Sequence, residues 1–100
     1  MSWISFDLMC SESDADGIIS QINGYNPTGT WDIPLDKTVA EQGYSLYWHV
    51  YGRMSFVPAN AIGESQFQTN MVNLVSASAV SSKIVAGSYI AKDGASVVTK

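Results

Sequence analysis

The sequence predicts an α+β fold, and three observations carry that expectation. Residues 3–10 and 44–56 alternate apolar and polar side chains with the period of a half-buried strand. Two other stretches, around 13–24 and 64–81, space their apolar residues as one face of a helix does. Near the C-terminus Asp93-Gly94 separates two strand-like runs, and this dipeptide favours a two-residue type I′ hairpin turn.

In the first strand Ile4, Phe6, Leu8 and Cys10 fall on one face, and Trp3, Ser5, Asp7 and Met9 on the other. Next, Ser13 and Asp16 have capping-box spacing, and Asp14 and Asp16 suit the positive end of a helix. Ala15, Ile18, Ile19 and Ile22 form its apolar stripe, and Gly17 weakens it by about 1 kcal/mol relative to alanine. Gly24 fits a left-handed C-terminal position, and Pro27 prevents continuation. Residues 30–38 set Trp31, Ile33 and Leu35 against Asp32, Pro34 and Asp36. Pro34 lacks a ladder donor, which places this strand at a sheet edge. A loop over 39–43 leads into the aromatic strand. Tyr44, Leu46, Trp48 and Val50 of that strand are expected to face the core, and Ser45, Tyr47, His49, Tyr51 and Arg53 the other side.

Gly52 is expected to mark a bulge or bend, Pro58 to end the strand, and 59–63 to form a turn. Ser65 and Gln68 offer a second capping box for a helix over about 64–81, with Phe67, Met71, Leu74, Val75 and Ser78 on one face. Residues 84–92 and 95–99 complete a hairpin. The order β-α-β-β-α-β is the split βαβ arrangement. The architecture expected is a ferredoxin-like two-layer sandwich: an antiparallel sheet, two helices on one face, and an added C-terminal hairpin strand. Element order by itself implies no function.

One hundred residues suit a single domain, 1–100. Charged residues make up 14% of the chain, against about 25% in a typical globular protein. The net charge of −4 is uneven: residues 1–41 carry seven acids against Lys37, and the remainder four bases against two acids. The five scattered bases make direct nucleic-acid binding unfavourable, because that affinity comes from Lys and Arg on phosphates. The lone Cys10 forms no intramolecular disulfide, and no apolar run approaches the roughly 18 residues of a membrane span. The start of the chain does not have the basic character of a signal peptide, so a cytoplasmic setting is expected.

Glu12, Asp14, Asp16 and Gly17 follow the opening of a calcium loop. Position 12 of that loop is Asn23, which cannot supply the closing bidentate carboxylate, so an acidic helix N-terminus is the better reading. Cys10 and His49 are the one thiol–imidazole combination. The predicted strands put them on opposite sides of the sheet, whereas nucleophilic catalysis needs them in contact. Asp32 and Asp36, at about 13 Å along one strand, are too far apart for a carboxylate dyad. No catalytic activity, cofactor or metal is expected.

The polar face of the aromatic strand remains, with Tyr47, His49, Tyr51 and Arg53 beside Trp3, Ser5 and Asp7. Tyr, Trp and Arg are frequent interface anchors. Aromatic-lined sheets also stack single-stranded RNA, but the acidic balance and the missing basic signature argue against that use. The expected function is a small acidic protein-binding module that inhibits or neutralises another macromolecule, as phage anti-defence and toxin-immunity proteins do. Its partner would be another protein, a basic nucleic-acid-binding one among the candidates. Tyr47, His49, Tyr51, Arg53 and Trp3, with Asp14, Asp16, Asp32 and Asp36, are the expected contacts. The alternatives are a self-associating subunit of a phage or virion assembly, and a small-molecule binder on a dimeric ferredoxin-like frame centred on His49.

Overall fold

A computed structural model of the chain describes residues 2–42, 45–56 and 61–100, and side-chain surroundings for all of these except 40–42, 45, 46, 61 and 62. Its elements are β1 (Ser2–Cys10), α1 (Glu12–Gly24), β2 (Thr30–Gln42), β3 (Ser45–Phe56), α2 (Ala61–Ser76), α3 (Ser78–Ser81), β4 (Tyr89–Lys92) and β5 (Ala95–Thr99). The five described strands form one sheet in the order β2-β3-β1-β4-β5, with every neighbouring pair antiparallel. The protein is thus α+β, with a five-stranded antiparallel sheet and three described helices, consistent with two layers. Among the described residues no helix is long and apolar enough to cross a membrane.

Alternation in β1 sets the layering. Ile4, Phe6, Leu8 and Cys10 are buried, and the residues between them are half-buried. The register pairs Ile4 with Met54, Phe6 with Gly52 and Leu8 with Val50, so Met54 and Val50 of β3 join the same face. Ala15, Ile18 and Ile22 of α1 and Phe67, Met71, Leu74 and Val75 of α2 close on it to form one core. Phe67 packs edge-on to Phe6 at 5.9 Å and tilts toward Phe56 at 6.4 Å. Each such side chain contributes about 1.5–3 kcal/mol on burial. One ion pair reaches into this layer: Lys92 Nζ lies 2.9 Å from the buried Glu64 Oε1. The contact is charge to charge without hydrogen-bond geometry.

β2 is an edge strand, as Pro34 requires. Its register against β3 shifts twice, between Trp31 and Ile33 and between Ile33 and Asp36. The irregularity expected at Gly52 is therefore carried by β2, and Gly52 is where the displaced β2 backbone comes close. A Cβ there would meet Leu35 Cα at 3.0 Å and the Ile33 carbonyl oxygen at 3.2 Å. The same shifts move Ile33 off the core face, leaving it opposite Arg53 and 43% exposed.

Other boundaries differ from expectation for local reasons. α1 begins two residues earlier than a Ser13 cap allows. Ser11 is the N-cap residue, and its hydroxyl donates to Asp14 at 2.8 Å instead of capping a backbone N–H. At the other end Gly24 stays helical, and the left-handed residue is Asn26. Residues 39–42, expected as loop, extend β2 along β3. α2 starts at Ala61, so Ser65 lies inside it rather than capping it, and Ala77 in an extended conformation ends it before α3. A continuous helix would carry Val80 away from the stripe of Phe67, Met71 and Leu74; the break turns it into the core and leaves Ser78 exposed.

β4 is shorter than the expected 84–92. Before it, Val85 N–H donates to Met9 O at 2.8 Å, and the Ser88 hydroxyl accepts from Met9 N–H at 2.9 Å while donating to Val85 O. A turn through Gly87, at φ 98°, thus stands in for ladder pairing. Asp93 and Gly94 both have positive φ, as a type I′ turn demands. Tyr44, Pro58, the turn at 59–60 and the side chain of Leu46 lie outside the described residues.

Candidate functional site: the outer face of the sheet

The pairing that buries Val50 and Met54 sends the alternate residues of β3 to the opposite face. Tyr47, His49, Tyr51 and Arg53 stand there beside Trp3, Ser5, Asp7 and Met9 of β1. The terminal hairpin adds to the sheet edgewise beside β1, and among the described residues no element packs over this face. The side chains on it are half-buried or exposed, except Ser55 and Ala91.

Two clusters organise it. In the first, Asp7 accepts a hydrogen bond from His49 Nε2 on one side, and on the other it stands opposite Tyr89 of β4 in the register. The hydrogen bond and the charge of Asp7 hold the Tyr89 phenol above its ordinary pKa, with a smaller effect of burial. Tyr51 tilts toward the His49 ring at 6.3 Å between centroids. In the second cluster Arg53 Nε lies 3.5 Å from Asp32 Oδ2, and its guanidinium sits over the Trp3 ring at 5.8 Å. Ser55 Oγ donates to the same Asp32 carboxylate. The hairpin turn fixes Trp3 through both backbone groups: Trp3 N–H donates to Asp93 Oδ1 at 2.9 Å, and Asp93 N–H donates to Trp3 O at 3.1 Å.

Of the nine expected contact residues, the structure gathers Trp3, Tyr47, His49, Tyr51 and Arg53 on one surface, with Asp32 and Asp36 at its β2 border. Asp36 lies opposite Tyr51, and its carboxylate accepts from the Lys37 N–H. Asp14 and Asp16 are not part of it. They stand on α1, on the helix side of the sheet, where Asp16 pairs with Lys37 at 2.8 Å and Asp14 with Lys83 at 3.6 Å. The acidic half of the sequence therefore does not make one acidic surface. Lys37 also lies over the Trp48 ring at 5.1 Å, and the hydrogen bond it donates to the Asp16 carboxylate raises its pKa, with the nearby charges of Glu12 and Asp36 adding to the effect.

Sequence reasoning placed Asp7 on this face without making it an anchor, and it missed Tyr89. Reading 84–92 as one uniform strand hid the alternation of Tyr89 and Ala91 with Ile90 and Lys92, which assigns Tyr89 its face. Cys10 points into the core, where its thiol donates weakly to Trp48 O at 3.7 Å, so it and His49 are on opposite sides of the sheet. Burial, with a smaller effect of Asp14, pushes the thiol up to about 11. Glu12, Asp14 and Asp16 lie along the first turns of α1 rather than in a loop that could wrap a cation. An open hollow there is lined by Ser11, Glu12, Ser13, Asp16 and Lys37.

No protein-family model matches the chain, and neither a curated protein nor a solved structure matches it.

Proposed function

We propose that the chain is a protein-binding module that inhibits or neutralises another macromolecule by docking through the outer sheet face. The observation that carries this reading is the grouping of Trp3, Tyr47, Tyr51 and Arg53 on a face over which no described element packs. Aromatic and arginine side chains supply the central anchors of most interfaces. Here they stand on paired strands, so little side-chain freedom remains to be lost on binding. A self-associating subunit that used its sheet edges is less well supported, because Pro34 and two register shifts blunt the β2 edge. A ferredoxin-like classification fits the order β2-β3-β1-β4, with β5 as the added strand. A cytoplasmic setting fits an unpaired, buried Cys10.

The test is affinity capture with the immobilised protein, comparing wild type, Trp3→Ala/Tyr51→Ala and Asp14→Ala. A partner retained by wild type and Asp14→Ala but lost from the double variant is the expected result. Equal retention by all three would move the interface to another surface.

A further inference from the structure

We propose that the Asp7 cluster on the outer face is a docking point for a cationic side chain, a lysine or arginine presented by a basic segment of the partner protein. The inference rests on the protein-binding reading and names what one part of that face recognises.

Asp14, Asp16, Asp32 and Glu64 each have a lysine or arginine within ion-pair distance, and among the described residues Glu12, Asp36 and Asp93 do not, but these three lie on α1, at the β2 border and in the hairpin turn, away from the middle of the outer face. Asp7 has none among the described residues; its partners are His49 and the Tyr89 hydroxyl. The nearest base along the face, Arg53, is paired in register with Ser5, and its guanidinium is directed over Trp3, on the far side of Ser5 from Asp7. The imidazole and the phenol orient the carboxylate, and it stays partly open to solvent between them.

That charge is held in a setting suited to a cation. The Asp7 side chain is 31% exposed, so it is partly withdrawn from water while still reachable. Its field is stronger there than at a fully solvated position. Tyr89 and the imidazole flank it, with Tyr51 against the imidazole, and tyrosine rings attract a cation through their faces. Arginine and lysine also carry apolar stems that pack on such rings. A chain of net charge −4 favours the approach of a basic partner over an acidic one.

The test measures binding of labelled oligoarginine and oligolysine peptides, with oligoglutamate as control, at near-physiological salt to suppress long-range attraction. Wild type is compared with Asp7→Asn, Tyr51→Ala and Glu12→Gln, the last removing one negative charge from α1. The expected result is basic-peptide binding weakened about tenfold or more by Asp7→Asn, several-fold by Tyr51→Ala, and less than about twofold by Glu12→Gln. Equal weakening by Asp7→Asn and Glu12→Gln would mean attraction by net charge alone and would overturn the proposal. So would no binding of basic peptides, or equal binding of oligoglutamate. If Asp7→Asn does not fold, amide and ring shifts of the wild type during an arginine-peptide titration decide the matter. Shifts centred on Asp7, His49 and Tyr89 support the site, and shifts confined to α1 overturn it. Failure here leaves the Trp3/Tyr51 capture experiment intact, and failure of that experiment leaves peptide binding at Asp7 measurable.

Discussion

Asp7 shows how one carboxylate ties three strands together on the outer face, reaching His49 of β3 and Tyr89 of β4 from β1 between them. Because a hydrogen bond to ionised Asp7 favours the protonated phenol, removing the charge should lower the Tyr89 ionisation midpoint. Asp7→Asn is expected to shift one tyrosinate absorbance step toward the ordinary tyrosine range. An unchanged titration would mean the contact does not persist in solution. Cys10 gives the contrasting case, a thiol raised chiefly by burial, with a smaller effect of Asp14. Moving it from 9.0 to about 11 leaves a roughly hundredfold smaller thiolate fraction near neutral pH, so the native protein should resist iodoacetamide until it is unfolded. The linkage sign is the same for both groups. The folded state holds the proton more tightly, so their contribution to stability is complete below the unfolded pKa and is lost as pH rises through the folded one. For Cys10 that window opens near 9.0 and runs through about 11, and alkaline urea melts should show stability falling across it.

Among the elements, β2 is where sequence and structure part most instructively. Its edge position was legible, because a proline without an N–H excludes a central ladder. Its faces were not, because strict alternation assumes one residue per pleat, and the two register shifts send Ile33 to the side of Arg53. Gly52 is the counterpart on β3, buried where the β2 backbone crowds it. Gly52→Ala is therefore expected to destabilise the protein by about 1–3 kcal/mol, since the new methyl must displace backbone at Leu35 and Ile33. A urea midpoint equal to wild type would show that β2 yields without penalty. The helix ends were similarly hidden. Periodicity runs unbroken through Ser76 and Ser78, and only the demand to bury Val80 and Ile84 stops α2 at Ala77. A sequence window contains no sign of that demand, because it comes from the sheet opposite. The strand before Asp93 was over-extended for a related reason: the Ser88 hydroxyl satisfies Met9 where a ladder bond was expected.

At the scale of the molecule, the two faces of β3 make opposite predictions from neighbouring positions. The split was legible, since Val50 lies on the expected apolar side and Tyr47, His49, Tyr51 and Arg53 on the other. Which side the helices cover could not be read from β3 alone. It follows from β1, whose alternate residues Ile4, Phe6 and Leu8 are entirely apolar and pair with Met54, Gly52 and Val50. The acidic half was legible as composition only. Its carboxylates are distributed over two sides of the sheet, and Asp14 and Asp16 take lysine partners away from the outer face. The layering makes Met54→Ala a core deletion, expected to cost about 2–5 kcal/mol and to lower Tm by roughly 10 °C or more in a chain of this size. Tyr51→Ala, three residues away, removes a half-buried ring that stands over the sheet and supports no core neighbour; its cost should stay near or below about 1 kcal/mol. Paired thermal melts make the comparison direct. If Tyr51→Ala proved as destabilising as Met54→Ala, the outer face would be a second packed layer in solution, and a partner could not reach its aromatic residues without unfolding that layer first.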